Sequence, residues 1–317
     1  MITEIRNYYR PFEYPKAYEY YRNAQLVHWT KDEIKLAEDL SNWNKDLTET
    51  EKKVIGGILK GFTQMEVLVG DYWRNVPVWF PKPEISMMAS TFSYFESIHQ
   101  DNYAMINEEL GLDDFKAFLY DEDTKNKIEY FINTSKNPNI NEVAKSLAVF
   151  SAFAEGCMLF SSFAVLLSFQ KENLMKGIGQ IVSFSIRDEN LHSEGGCWLF
   201  NQLCEENKGL KEELQKDIKD AAYQVYQLEK KFIDNLFQDN SIRTLNPYDL
   251  KQFIKYRINS KLQELGYTPM FEVDKDSIER MSWFNILAGG REFGDFFATR
   301  VSEYTHASFN QEDLFDE

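Results

Sequence analysis

The amino-acid sequence predicts an all-α protein, a bundle of four long helices with additional helices around it. Three observations carry this. Apolar residues recur at three- and four-residue spacing through segments of roughly 25 to 35 residues. The chain has only eight prolines, and they sit between the apolar segments or at their starts. No run alternates apolar and polar residues at strand period, and no internal repeat or low-complexity tract appears. At a rise of 1.5 Å per residue, helices of this length build a bundle about 40 Å tall.

The elements follow in order. "LTETEKKVIGGILKGFTQMEVLVGDYW" opens with Thr48 and Glu51 in capping-box spacing and predicts a helix to about Trp73. The cluster Pro77, Pro81 and Pro83 then breaks the pattern. Pro83 takes a first-turn position, and the second helix runs to just before Gly111. Asn137 to about Glu172 predicts the third long helix, and Lys176 to Glu206 the fourth. Lys211 to Phe237 is a fifth, more amphipathic one, and shorter helices fill the ends. No linker divides the chain. Residues 1–300 are expected to form a single helical domain, and residues 301–317 a flexible C-terminal tail.

Composition excludes several classes of function. Hydrophobic residues make up 43% and aromatics 15%, enough for a sizeable core. The net charge of −16 is the wrong sign for a nucleic-acid backbone or an anionic membrane surface. Cys157, Cys197 and Cys204 form no CxxC and no even framework, which fits a reducing cytoplasm. The start, "MITEIRNYYRPFEYP", has no basic segment leading into an apolar one, so no signal peptide is expected. Leu147 to Phe169 is long and apolar enough to span a bilayer, but Glu155 sits near its middle. A helix buried on all sides of a protein core is the expected reading.

The chemistry-bearing residues lie inside these helices. Glu96 and His99, in "FESIHQDNY", are three apart and so lie on one helix face, about 60° from each other around the axis. Glu189 and His192, in "IRDENLH", repeat the spacing. The chain has four histidines, and a third pair, Glu303 and His306, lacks apolar surroundings. Glu66 and Glu155 each stand alone in an apolar helix. An isolated buried carboxylate is unfavourable unless it is paired or bound to metal. Asp71 competes with Glu66 but points about 140° away on the helix. Two helices giving Glu-x-x-His and two giving one Glu match the ligand plan of a dinuclear site in a ferritin-like four-helix bundle. Four carboxylates and two imidazoles suit iron and manganese more than copper. Tyr103 follows His99 by one turn on the same stripe. It is either a phenol beside the cluster or one core tyrosine among 17.

With these residues in hand, the chain resembles the radical-generating small subunit of class I ribonucleotide reductase, from about Trp29 to the tail. The most specific pieces are "FESIHQDNY" and "IRDENLH", with Glu155 34 residues before Glu189. The resemblance implies a dinuclear metal centre held by Glu66, Glu96, His99, Glu155, Glu189 and His192. It implies Tyr103 as the radical-bearing tyrosine and Asp188 as the carboxylate bonded to the ligand His99. Trp29 would continue the electron path through Asp188, and Phe163 would line an apolar pocket. A mobile tail with a relay tyrosine, Tyr304, and an apolar anchor, Leu314 and Phe315, would dock on the large subunit. A homodimer and a role in deoxyribonucleotide synthesis are implied as well. Glu66 departs from the aspartate usual in the diiron-tyrosyl pattern, and Leu159 replaces a pocket aromatic. Glu at the first position resembles subgroups that use manganese. "PFEYPKAYEYY" and "ILKGFTQMEVLVGDYW" look most like the dimanganese subgroup, so Mn/Mn is the favoured pair, with Mn/Fe or Fe/Fe as alternatives. In a dimanganese protein Tyr103 is a bystander.

Two other functions share this ligand plan. A ligand-binding Mn/Fe oxidase of the same fold typically carries a crosslinked tyrosine five residues before the third carboxylate, where this chain has Phe150. A ferritin-like metal storage protein is a shorter, single bundle.

Overall fold

The computed structural model describes residues 1–112, 114–116, 126, 139–238, 242 and 244–289. All regular structure among them is helical. After α1 (Pro15–Leu26) and α2 (Ala37–Lys45) come the first two long helices, α3 (Glu49–Trp79) and α4 (Pro83–Glu109). The third long run is α5 (Ile140–Leu147), a π-helical segment π1 (Ala148–Met158) and α6 (Phe160–Ser168). The fourth is α7 (Lys176–Glu206). Outside these lie α8 (Leu210–Leu236), α9 (Pro247–Glu264), α10 (Lys275–Arg280) and α11 (Trp283–Leu287).

The local signals act as their chemistry demands. The Thr48 side chain accepts from the Glu51 backbone N–H, and Glu51 accepts from the Thr48 backbone N–H. Such a box contributes about 1 kcal/mol to a helix start. Pro83 occupies the first turn of α4, where its missing N–H is no loss. Only Phe80 to Lys82 separate α3 from α4, so the two pack along their lengths as antiparallel neighbours. Asp39 of α2 receives the Gly177 and Ile178 backbone N–H groups and so caps the buried start of α7.

Two boundaries differ from expectation. Helix α3 continues past Trp73 to Trp79, with Pro77 inside it. Pro77 removes one backbone bond, but the buried Tyr72, Trp73, Val76 and Phe80 hold the last turns in place. The third long helix starts at Ile140, capped by the Asn139 side chain, and is not uniformly α-helical. Positions 137 and 138 lie outside the described residues. Its π-helical stretch is rich in small residues, which allow close approach. Gly196 of α7 faces it so tightly that a Cβ there would lie 1.8 Å from Ser151 Oγ.

The apolar window of the Ile140–Glu172 run is buried along its whole length. It forms the centre of the core, packed by α7, α8 and α9. Burial on every side explains why this stretch is apolar all round rather than on one stripe.

Candidate metal centre

Each of the four long runs turns at least one carboxylate into the middle of the bundle. Glu66 comes from α3, Glu96 and His99 from α4, Glu155 from π1, Glu189 and His192 from α7. All six are fully buried. The 3.6-residue period places each Glu-x-x-His pair on one inward face. Asp71, the competitor to Glu66, is exposed and bonded to Arg74.

The six side chains form two adjoining quartets. One is Glu66, Glu96, His99 and Glu189. The other is Glu96, Glu155, Glu189 and His192. Within each, one ligand atom per residue lies within 4.8 Å of the others. Glu96 and Glu189 belong to both. His99 Nδ1 stands 3.2 Å from Glu96 Oε2, 3.2 Å from Glu189 Oε1 and 3.8 Å from Glu66 Oε2. His192 Nδ1 stands 2.7 Å from Glu96 Oε1 and 4.0 Å from Glu155 Oε1.

These atoms converge without satisfying one another. Both oxygens of Glu66 and Glu189, one each of Glu96 and Glu155, and both ring nitrogens of His192 have no hydrogen-bond partner. His192 Nδ1 is close to Glu96 but out of line for a bond. An orphaned buried polar atom costs about 1 to 3 kcal/mol, so a cluster of them is not self-stabilising. Divalent cations held by these residues would satisfy the set, and the donors are the right types for iron or manganese.

Electrostatics agrees. Burial pushes Glu66 and Glu189 up to about 8 and Glu155 well above the carboxylate range, with the neighbouring carboxylates adding to the effect. Burial opposes the charge on Glu96 too, but attraction to His192 and His99 outweighs it and holds Glu96 low. Burial disfavours a charged His99, yet Asp188, Glu189, Glu66 and Glu96 raise it well above its ordinary value. Raised carboxylates favour their protonated forms, and a bound divalent cation would have to displace those protons.

The surroundings match part of the sequence reading. Asp188 Oδ2 lies 3.2 Å from His99 Nε2, the ring nitrogen turned away from the carboxylates. The same oxygen accepts from Trp29 Nε1 at 2.7 Å. Tyr103 is fully buried, but its hydroxyl donates to Ser185 Oγ at 2.8 Å rather than to any of the six. Phe62 separates Tyr103 from Phe163, with ring centroids 5.0 Å from each. Leu159 is buried nearby. Phe150 stacks on Tyr72 at 3.6 Å. Tyr304, Leu314, Phe315 and the tail 301–317 lie outside the described residues.

Two contacts escaped the sequence reading. Trp73 Nε1 donates to Glu155 Oε1 at 2.5 Å. Trp73 is seven residues after Glu66, two turns along the same stripe, so periodicity held that signal. Ser185 precedes Glu189 by one turn and shares its face in the same way.

The comparisons with known proteins agree with this geometry. The sequence profile of the family described as "Ribonucleotide reductase, small chain" matches residues 6–278. A protein of Invertebrate iridescent virus 3, described as a "Probable ribonucleoside-diphosphate reductase small subunit", is 33% identical over 96% of this chain and 85% of its own. Two solved structures share the fold. The Clostridium botulinum ribonucleotide reductase R2 subunit has a TM-score of 0.78 at 21% identity, over 87% of this chain and 89% of that one. The dimanganese(II)-NrdF of Streptococcus sanguinis has a TM-score of 0.75 at 21% identity, over 88% of this chain and all of that one. The match over most of the length, with the two carboxylate-imidazole quartets at its centre, makes this chain a member of the ribonucleotide reductase small chain family.

Proposed function

We propose that this chain is the small subunit of a ribonucleoside-diphosphate reductase, with Glu66, Glu96, His99, Glu155, Glu189 and His192 holding its dinuclear metal centre. The observation that carries this is the pair of quartets sharing Glu96 and Glu189, joined to Trp29 through Asp188. When bound, the metal pair supplies the one-electron oxidising equivalent that starts ribonucleotide reduction in the large subunit.

The chain's own residues do the rest. Asp188 accepts from His99 Nε2 and so fixes the ring with Nδ1 facing the carboxylates. It also accepts from Trp29 Nε1. When the indole gives up an electron, its N–H becomes strongly acidic. The Asp188 oxygen then takes the proton over a 2.7 Å path, so the oxidised indole is left as a neutral radical rather than a buried cation. Trp29 is buried and its ring stands 6.0 Å from the His99 ring. Tyr304 in the tail 301–317 is the proposed relay to the large subunit, with Leu314 and Phe315 as the docking anchor. The holoenzyme is proposed to contain a homodimer of this chain in the cytoplasm.

Mn/Mn is the favoured pair, ahead of Mn/Fe and Fe/Fe. Glu66 at the first position supports it, and so does a Tyr103 whose hydroxyl is engaged by Ser185. The test is a low-temperature EPR spectrum after Mn(II) loading and exposure to superoxide or dioxygen. A multiline manganese signal without a tyrosyl radical is expected. A silent manganese sample, with a tyrosyl signal from Fe(II) and dioxygen instead, overturns the manganese reading.

A further inference from the structure

We infer that Arg257 is a positioning residue of the metal centre: it ties the backbone beside Glu155 to the side chain beside Glu189 and thereby holds those two ligands in register. This rests on the proposed metal centre. Arg257 belongs to α9, outside the four ligand-bearing runs. Its Nε donates to the Gly156 carbonyl at 2.8 Å, and its Nη2 to Asn190 Oδ1 at 3.1 Å. Gly156 adjoins Glu155, and Asn190 adjoins Glu189. The guanidinium carbon sits 3.2 Å from the centre of the Phe160 ring.

The arrangement is unusual for a buried charge. Arg257 is buried, and among the described residues its two hydrogen bonds go to neutral oxygens rather than to a carboxylate. Burying a guanidinium against neutral partners is unfavourable, so stability alone does not account for it. A rigid fork that spans two elements is what guanidinium geometry provides. The element it grips is π1, and π-helical stretches are rare interruptions of α-helices that shift the register of the residues after them. A one-residue slip turns a helical side chain by about 100°, which would carry Glu155 out of the site. Packing enforces the grip. A Cβ on Gly156 would lie 2.8 Å from Lys261 Cε and 2.8 Å from Ser193 Oγ, so the side chains of α9 and α7 pack directly on the Gly156 backbone.

The geometry makes the expected defect asymmetric. Glu189 serves both quartets, but Glu155 serves only the one with His192, and Glu66 and His99 only the other, so a slip of π1 falls on the Glu155 quartet. Mn(II) titrations of the intact chain, read by the EPR signal of free Mn(II), are compared for the natural chain, Arg257→Gln, Arg257→Lys and Asn190→Ala. Thermal melting is recorded alongside. The natural chain should bind two equivalents. In Arg257→Gln and Asn190→Ala one equivalent should lose about tenfold or more in affinity while the other changes far less. Arg257→Lys should fall between, since it keeps one donor for Gly156. Wild-type isotherms in both variants overturn the inference. So does equal weakening of both equivalents in step with a lower melting temperature. If Arg257→Gln does not fold, Asn190→Ala decides alone, because Asn190 is only half-buried. A natural chain that binds no Mn(II) refutes the metal centre itself, a result distinct from either.

Discussion

The Asp188 Oδ2 atom serves two donors at once: Trp29 Nε1 at 2.7 Å and His99 Nε2 at 3.2 Å. One carboxylate oxygen therefore joins an imidazole of the candidate metal site to a buried indole. Trp29 precedes all four ligand-bearing runs in the chain, while Asp188 adjoins Glu189 on α7. The link exists only in the folded state.

Replacing Trp29 by Phe keeps an aromatic ring but removes the oxidisable indole and its N–H. Two equivalents of Mn(II) should still bind, while turnover with the large subunit falls by about a hundredfold or more. Turnover at the natural rate would take Trp29 off the path.

Asp188→Asn is isosteric and presents either an amide or a carbonyl to His99. Metal affinity should drop by about 10- to 100-fold, as is usual when the partner of a ligand imidazole is lost. The check is a competition titration against a chelator. An unchanged affinity would mean that His99 is oriented by packing alone.

Removing metal should reverse the pH dependence of stability. Burial raises Glu66 and Glu189 to about 8, far above their unfolded values near 4.3. The metal-free native state thus holds protons that the unfolded chain has released. This contribution is fully present below the unfolded values and is lost as pH rises through about 8. The melting temperature of the metal-free chain should fall between about pH 5 and 8. Mn(II) affinity should rise over the same window, because metal displaces those protons. A metal-free melting temperature that climbs through that window would contradict the assignment.

Tyr103→Phe deletes a hydroxyl whose observed bond is to Ser185. It should cost about 1 kcal/mol of stability, seen as a small drop in melting temperature. In the favoured dimanganese reading, turnover persists. Complete loss of turnover with intact metal loading would make Tyr103 the radical site.

Gly196→Ala should destabilise the chain by about 1 to 3 kcal/mol or more, because its Cβ would meet Ser151 Oγ at 1.8 Å. Adding Ser151→Gly should recover most of the loss. Failure of the rescue would show that backbone contact rather than the serine sets the limit.

Periodicity within single helices was legible without coordinates. Glu96 with His99, and Glu189 with His192, share faces because three residues nearly complete a turn. The capping box at Thr48 and the first-turn Pro83 marked helix starts for reasons local to a few residues. The burial of Leu147 to Phe169 followed from its lack of a polar face. The π-helical register around Glu155 was not legible, because it depends on what packs against it from α7 and α9.

The sequence by itself determined the all-α class, the long helices and the six inward carboxylates and imidazoles. All of these are set by the 3.6-residue repeat and by the free energy of burying apolar surface. Only the tertiary structure decided that Glu96 and Glu189 are shared by both quartets, that Trp73 bonds Glu155, and that Tyr103 turns to Ser185. It also decided that Arg257 bridges two ligand helices. These are contacts between residues tens to more than a hundred positions apart. Their distances depend on how helices cross and pack, which no local spacing encodes.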